Sequence, residues 1–235
     1  MRYAIYFTPP HDDPLTRLAA RWLGRDAFTG KPAAFAEVPG IGAEELALQT
    51  ASARRYGFHA TLKAPFTLAP GQTEDALVAA VDAFAARERP LRLPAVRVRQ
   101  IDGFFALTPA ARSMELDELA GEVVSHFDRF RAPASEAEIA RRNPETLSPV
   151  ELAHLHRWGY PYVFEAFRFH MTLTGRIFGA DAERFAAAID TTFGPHIGQP
   201  LDIASIALFV EPEPGAPFTV RSWHALAPQQ ERKTA

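Results

Sequence analysis

Apolar residues return at helical spacing in four stretches of the chain: Leu15, Leu18 and Trp22; Leu77, Val81 and Phe84; Leu116, Leu119, Val123 and Phe127; Phe185 and Ile189. Side chains three and four residues apart share one helix face, so each stretch predicts an amphipathic helix with one buried side. Shorter runs rich in β-branched and aromatic residues lie between them and predict strands: Tyr3 to Phe7, Phe58 to Lys63, Leu93 to Val98, Phe104 to Leu107, Phe167 to Thr174, Leu201 to Val210 and Phe218 to Ala225. Interleaved helices and strands predict an α+β or α/β chain. The least regular stretch is Arg131 to Phe164. Within it, Ser135 with Glu138, and Ser148 with Pro149 and Glu151, carry helix-start chemistry. An inserted connector of about 131–164 with two short helices is expected there, either covering a cleft or simply linking what flanks it.

One pentapeptide pattern occurs twice, Phe-His-Ala-Thr-Leu at 58–62 and Phe-His-Met-Thr-Leu at 169–173. A loop, a helix and two strands are expected after each copy, in the same order. That repetition predicts two related lobes, one of about 50–110 carrying the first motif and one of about 165–227 carrying the second. Alternate side chains of a strand face opposite ways, so His59, Thr61 and Lys63 are expected opposite Phe58, Ala60 and Leu62. In the second copy Arg168, His170, Thr172 and Thr174 oppose Phe167, Phe169, Met171 and Leu173. Two such polar rows facing across a cleft make an anion pocket. A neutral imidazole accepts a proton and a charged one donates it, and a pKa of about 6.5 leaves both forms accessible near neutrality. Threonine hydroxyls donate to phosphate oxygens, and Lys63 or Arg168 adds positive charge. Phosphodiester cleavage uses this set, because the attacking oxygen must lose a proton while the leaving oxygen gains one.

Composition narrows the field. A chain of 235 residues that is 47% hydrophobic can bury a sizeable core. With 25 basic against 28 acidic residues, a formal charge of -3, it lacks the electrostatic footprint of a protein that coats extended nucleic acid or anionic lipid. An anionic substrate must then be met locally. There is no cysteine, which removes disulfides, thiolate metal sites and cysteine nucleophiles. No apolar run reaches the roughly 18 residues of a spanning helix. Met1 to Pro10 reads as a strand rather than an export signal, so a cytoplasmic protein is expected, with a frayed polar tail at Pro228 to Ala235. The 20 prolines fall mostly between the periodic segments, as loop punctuation. Gly-rich phosphate loops, Gly-x-Ser-x-Gly elbows and dinucleotide fingerprints are missing, which argues against ATP hydrolysis, serine esterase chemistry and NAD use. His154 and His156 diverge on a predicted helix, and His11 with Asp12 and Asp13 reads as a capped helix entry, so neither is taken as a metal site. His126, His196 and His224 are isolated and receive no role.

With its flanks, Arg-Tyr-Gly-Phe-His-Ala-Thr-Leu-Lys-Ala-Pro-Phe at 55–66 and Phe-Arg-Phe-His-Met-Thr-Leu-Thr-Gly at 167–175, the repeated motif resembles that of the 2H phosphoesterases. More specifically, the flanks resemble their branch associated with phosphonate metabolism, and the resemblance covers nearly the whole chain. It implies an α+β, bilobal 2H phosphoesterase-like fold: two pseudo-symmetric lobes of antiparallel sheet backed by helices, with the site in a central groove. It also implies chemistry without metal or cofactor on cyclic phosphodiesters or 2′-5′ linkages. By the same resemblance His59 and His170 are the catalytic pair, and Thr61 and Thr172 contact phosphate. Arg55, Tyr56, Lys63 and Arg168 lie outside the shared motif and are candidate pocket residues. The leading expectation is a phosphodiesterase that opens a small cyclic phosphodiester such as a phosphoribosyl cyclic phosphate, with the order of base and acid open. One alternative is processing of RNA 2′,3′-cyclic or 2′-5′ ends, which predicts a basic apron around the groove. Others are a non-catalytic nucleotide or phosphosugar binding module and a structural partner of a phosphonate enzyme complex. The oligomeric state is left open.

Overall fold

The computed structural model describes residues 1–227, so the expected tail at 228–235 lies outside the described residues. The order of elements is β1 (Arg2–Phe7), α1 (Pro14–Leu23), α2 (Ala43–Gln49), α3 (Ala51–Tyr56), β2 (Ala60–Phe66), α4 (Glu74–Ala85), β3 (Leu91–Leu93), β4 (Val96–Ile101), β5 (Phe104–Pro109), α5 (Met114–Phe127), α6 (Glu136–Ala140), α7 (Pro149–Trp158), β6 (Met171–Arg176), α8 (Ala180–Phe193), β7 (Leu201–Ile203), β8 (Ser205–Glu211) and β9 (Thr219–Ala225). All four periodic stretches are helices. α1 starts where Asp13 accepts the Leu15 amide, the capped entry expected after His11. Both short helices of the insertion begin with reciprocal capping boxes, Ser135 with Glu138 and Ser148 with Glu151. Two expected strands are each split, at Pro94 between β3 and β4 and at Ala204 between β7 and β8. α2 and α3 were not expected. They are short and alanine-rich, and bury only Leu46 and Ala53, too narrow an apolar face to register as a period.

Seven strands form one antiparallel sheet in the order β4-β5-β6-β2-β1-β8-β9, and β3 pairs with β7 in a separate ribbon. The α+β architecture and the antiparallel sheet backed by helices are as expected. The lobes do not follow chain order as 50–110 and 165–227. The hairpin that follows the first motif, β4-β5, pairs with the second motif strand β6, whereas β8, which follows the second motif, pairs with β1 beside β2. The repeat is better described as starting one strand earlier: β1-β2-α4-β3-β4 matches β5-β6-α8-β7-β8, and β9 is an extra edge strand. Each half of the sheet thus contains strands from both repeats, which ties the halves together.

Helices α1, α4, α5 and α8 pack on one face of the sheet and share a single large core that includes Trp22, Phe84, Phe127 and Phe185. A smaller apolar cluster of Ala4, Tyr6, Ala27, Ala207, Phe209 and Phe218 covers part of the other face. That second face carries the candidate site.

Candidate active site

The two motif strands are neighbours at the centre of the sheet, not rows facing across a cleft. β2 and β6 touch at one paired position, Ala60 with Met171. His59 and His170 each immediately precede that pair, just outside the strands, so strand alternation does not aim them. Each ring is instead held by its own backbone. His59 Nδ1 donates to the Gly57 carbonyl at 2.9 Å and His170 Nδ1 donates to the Arg168 carbonyl at 2.8 Å. Since a carbonyl only accepts, both rings carry their neutral proton on Nδ1 and leave Nε2 unprotonated. Gly57 is needed for this turn, because its φ of 78° is left-handed and a Cβ there would sit 2.5 Å from the Ala27 Cβ.

Thr61 follows Ala60 and Thr172 follows Met171, so both threonines sit one residue inside the place where the two strands meet. A cavity of about 170 Å³ is lined by His59, Thr172, Thr61 and Tyr6, and an adjoining one of about 440 Å³ by His170 and Thr61. Tyr160 and Thr61 line both. Thr61 borders both histidine cavities, and its hydroxyl reaches His59 Nε2, in its own repeat, at 3.3 Å, while Thr172 lines the His59 cavity. The Tyr6 ring stacks on His59 with centroids 3.9 Å apart. Burial in this setting pushes His59 down to about 4, and a charge on His170 opposes one on His59; burial also lowers His170 from its ordinary value.

The other expected pocket residues fare differently. Tyr56 lines the His59 cavity, its ring 6.1 Å from the imidazole. Arg168 lines the His170 cavity. Arg55 lies in a neighbouring cavity and pairs, with Arg2, to the buried Glu211 carboxylate. Lys63 is not in the pocket. Tyr6 pairs with Thr61 but Ile5 pairs with Lys63, so Leu62 is an extra residue, a β-bulge that turns Lys63 onto the helix-facing side. There its amine is buried and donates to the Val124 carbonyl at 3.0 Å and to Asp128 at 3.4 Å, and burial lowers it to about 8. A shift of register also follows the second motif, where Thr174 is buried and accepts the Phe105 amide. Lys63→Met is accordingly expected to lower stability by about 1–3 kcal/mol in urea unfolding while leaving the calorimetric affinity for inorganic phosphate unchanged. Loss of phosphate binding would return Lys63 to the pocket.

Among the polar and aromatic residues that line the His59 cavity, Tyr6, Arg142 and Tyr160 were missed in the sequence. Tyr6 was read only as part of a strand, and Arg142 and Tyr160 belong to the insertion, which walls the groove rather than merely linking its flanks. The Arg141-Arg142 pair was the available signal. His11 pairs with Asp26, and His154 contacts the Pro161 carbonyl; among the described residues no group of three His, Asp or Glu side chains is placed to hold a metal ion. No helix among the described residues is long and apolar enough to cross a membrane.

The chain is similar to two curated proteins named ribose 1,5-bisphosphate phosphokinase PhnN. The protein of Janthinobacterium sp. (strain Marseille) is 42% identical over 228 residues, 92% of this chain and 49% of that one. The protein of Laribacter hongkongensis (strain HLHK9) is 38% identical over 218 residues, 93% of this chain and 50% of that one. The chain spans about half the length of these relatives. Among solved structures, TT0787 of Thermus thermophilus aligns with a TM-score of 0.47 at 16% identity, over 98% of this chain and 100% of that one. E. coli LigT complexed with 3′-AMP aligns with a TM-score of 0.43 at 13% identity, over 96% of this chain and 98% of that one. A family model described as "Protein of unknown function (DUF1045)" matches residues 61–219, from the first motif threonine to the start of β9, and the chain belongs to that family.

Proposed function

We propose that this protein is a phosphodiesterase that opens a small cyclic phosphodiester, with His59 as general base and His170 as general acid. The observation that carries the reading is the matched pair of imidazoles, each pinned through Nδ1 to the carbonyl two residues back, with the two rings in adjoining cavities that share Thr61 and Tyr160. His59 is the more strongly held in its neutral form, which suits a base. In the reaction, water forms the new bond to phosphorus and gives a proton to His59 Nε2. The ring P–O bond breaks, and His170, entering the step as the charged imidazolium, gives its Nε2 proton to the leaving sugar oxygen. Thr61 and Thr172 donate to the non-bridging oxygens, where charge is held through the transition state. The two histidines return to their starting forms by exchange with solvent.

A phosphorylated ribose bearing a 1,2-cyclic phosphate fits best. The relatives' name contains ribose 1,5-bisphosphate, and breaking the bond from phosphorus to O2 of such a ring leaves ribose 1,5-bisphosphate. The kinase part of that name is not carried over, because this chain has no Gly-rich phosphate loop. RNA end processing predicts a basic apron on both sides of the groove; the His170 cavity balances Arg168 and Arg176 against Asp102 and Glu151, and of the two sides arginines are in excess only in the cavity that adjoins His59.

The test is hydrolysis of ribose 1,2-cyclic phosphate with and without its 5-phosphate, in the presence of a chelator and across pH. A base must be unprotonated, so kcat/KM rises as pH increases through about 4, the position of His59. An acid must be protonated, so kcat/KM falls as pH passes the lowered pKa of His170, below its ordinary value of about 6.5. The expected optimum lies between these limits, on the acid side of neutrality. An optimum above pH 8, or turnover abolished by the chelator, would reject the scheme.

A further inference from the structure

Beside the His59 cavity lies a second one, of about 240 Å³, whose lining brings five arginines, Arg2, Arg55, Arg131, Arg141 and Arg142, against a single carboxylate, Glu138. The two cavities share Tyr56, Pro65 and Arg142, so a ligand at His59 has a direct path into the arginine-lined space. Much of this positive charge is already answered. Arg2 and Arg55 divide one carboxylate, Glu211, which leaves them a net charge of one. Arg131 is taken up by Asp128 and by the carbonyls of Ala132 and Arg157.

Arg141 and Arg142 are different. Arg141 spends only its Nε, on the Ala137 carbonyl at 3.2 Å. Arg142 rests its guanidinium 4.9 Å from the centre of the Tyr160 ring. Among the described residues neither forms a salt bridge, and Glu138 is occupied by the amide and hydroxyl of Ser135. Both arginines stand between α6 and the left-handed turn at Asn143, φ 47°, on the insertion that walls the groove. Unanswered guanidinium groups in a concave, sequence-local pair are suited to a dianion with oxygens on several sides, which a forked donor meets bidentately.

We infer that this cavity is a specificity subsite for a terminal phosphate monoester carried by the substrate at a distance from its scissile phosphodiester. Arg141 and Arg142 are its principal donors, and Arg55 with Arg2 forms its far wall. The inference rests on the proposed reading of the groove as a phosphodiesterase and adds to it a requirement: a second, uncleaved phosphate selects the substrate. The insertion is then a recognition element, and a cyclic phosphate without that group is turned over at a disadvantage.

The experiment compares ribose 1,2-cyclic phosphate with its 5-phosphorylated form on the full chain, wild type and Arg141→Gln, and measures ribose 5-phosphate binding by calorimetry on the His59→Ala, His170→Ala double variant with and without Arg141→Gln. In the wild type kcat/KM is expected to favour the 5-phosphorylated compound at least tenfold, through KM. Arg141→Gln should shrink that ratio about tenfold or more, the loss of one charge-assisted contact. Ribose 5-phosphate binding should weaken by a similar factor on the inactive background. Equal kcat/KM for the two compounds overturns the subsite while leaving the phosphodiesterase reading intact. Absence of turnover on both, with binding that still depends on Arg141, rejects the hydrolytic reading and keeps the subsite. Binding indifferent to Arg141 in both arms rejects the subsite outright.

Discussion

His59→Ala is expected to lower kcat on a cyclic phosphodiester by about 10²–10⁴-fold, and His170→Ala by a similar factor, the range that positioned acid–base catalysis contributes. The double variant should be little worse than the worse single one, because base and acid act on the same transition state and their losses do not add. The rings sit outside β2 and β6 and fix no ladder hydrogen bond, so the fold should survive both changes. His59→Ala does lose the stacking on Tyr6, about 0.5–1.5 kcal/mol, which circular dichroism and a urea melt will register as a small shift rather than unfolding. Activity within tenfold of wild type in either single variant would remove that histidine from the chemistry.

The second large effect concerns stability. Trp22→Ala is expected to cost about 3–5 kcal/mol in urea unfolding, a large fraction of the roughly 5–15 kcal/mol that holds a domain together. Trp22 is fully buried on α1 and meets Phe185 and Phe193 of α8 edge-on, with centroids 6.5 and 5.5 Å away. Its indole N–H donates to the Leu173 carbonyl at 2.8 Å, in the irregular part of β6 just past Thr172. The residue therefore supports the motif strand as well as the core. Trp22→Phe separates the two roles: it keeps an aromatic ring but leaves that carbonyl without its donor, and should cost about 1–3 kcal/mol. Should Trp22→Ala cost less than about 1 kcal/mol, α1 would have to be an appendage to the core instead of part of it.

Much of this molecule is written locally. The stripes of Leu15 to Trp22, Leu77 to Phe84 and Leu116 to Phe127 name their helices because one buried face forces the period. Ser135 and Ser148 mark the insertion helices because a capping hydroxyl and a glutamate three residues on satisfy amides within a single turn. The repeated Phe-His-x-Thr-Leu likewise marks the two strands that meet at the centre of the sheet. Lys63 shows where such reading stops: alternation places it with Thr61, and one extra residue in the ladder moves it to the other face. A bulge is decided by the partner strand, and β1 lies more than 50 residues away.

The chain's own letters were thus enough for its four periodic helices, its two capped insertion helices, its class and the absence of thiol side chains, since each of these rests on neighbours in sequence or on composition. Which repeat's strands complete each half of the sheet, and that Arg142 and Tyr160 line the His59 cavity, were left to the folded molecule. Those outcomes depend on the register at which β2 meets β6 and on where a 34-residue insertion, 131–164, comes to rest, and both are set by contacts between segments far apart in the chain.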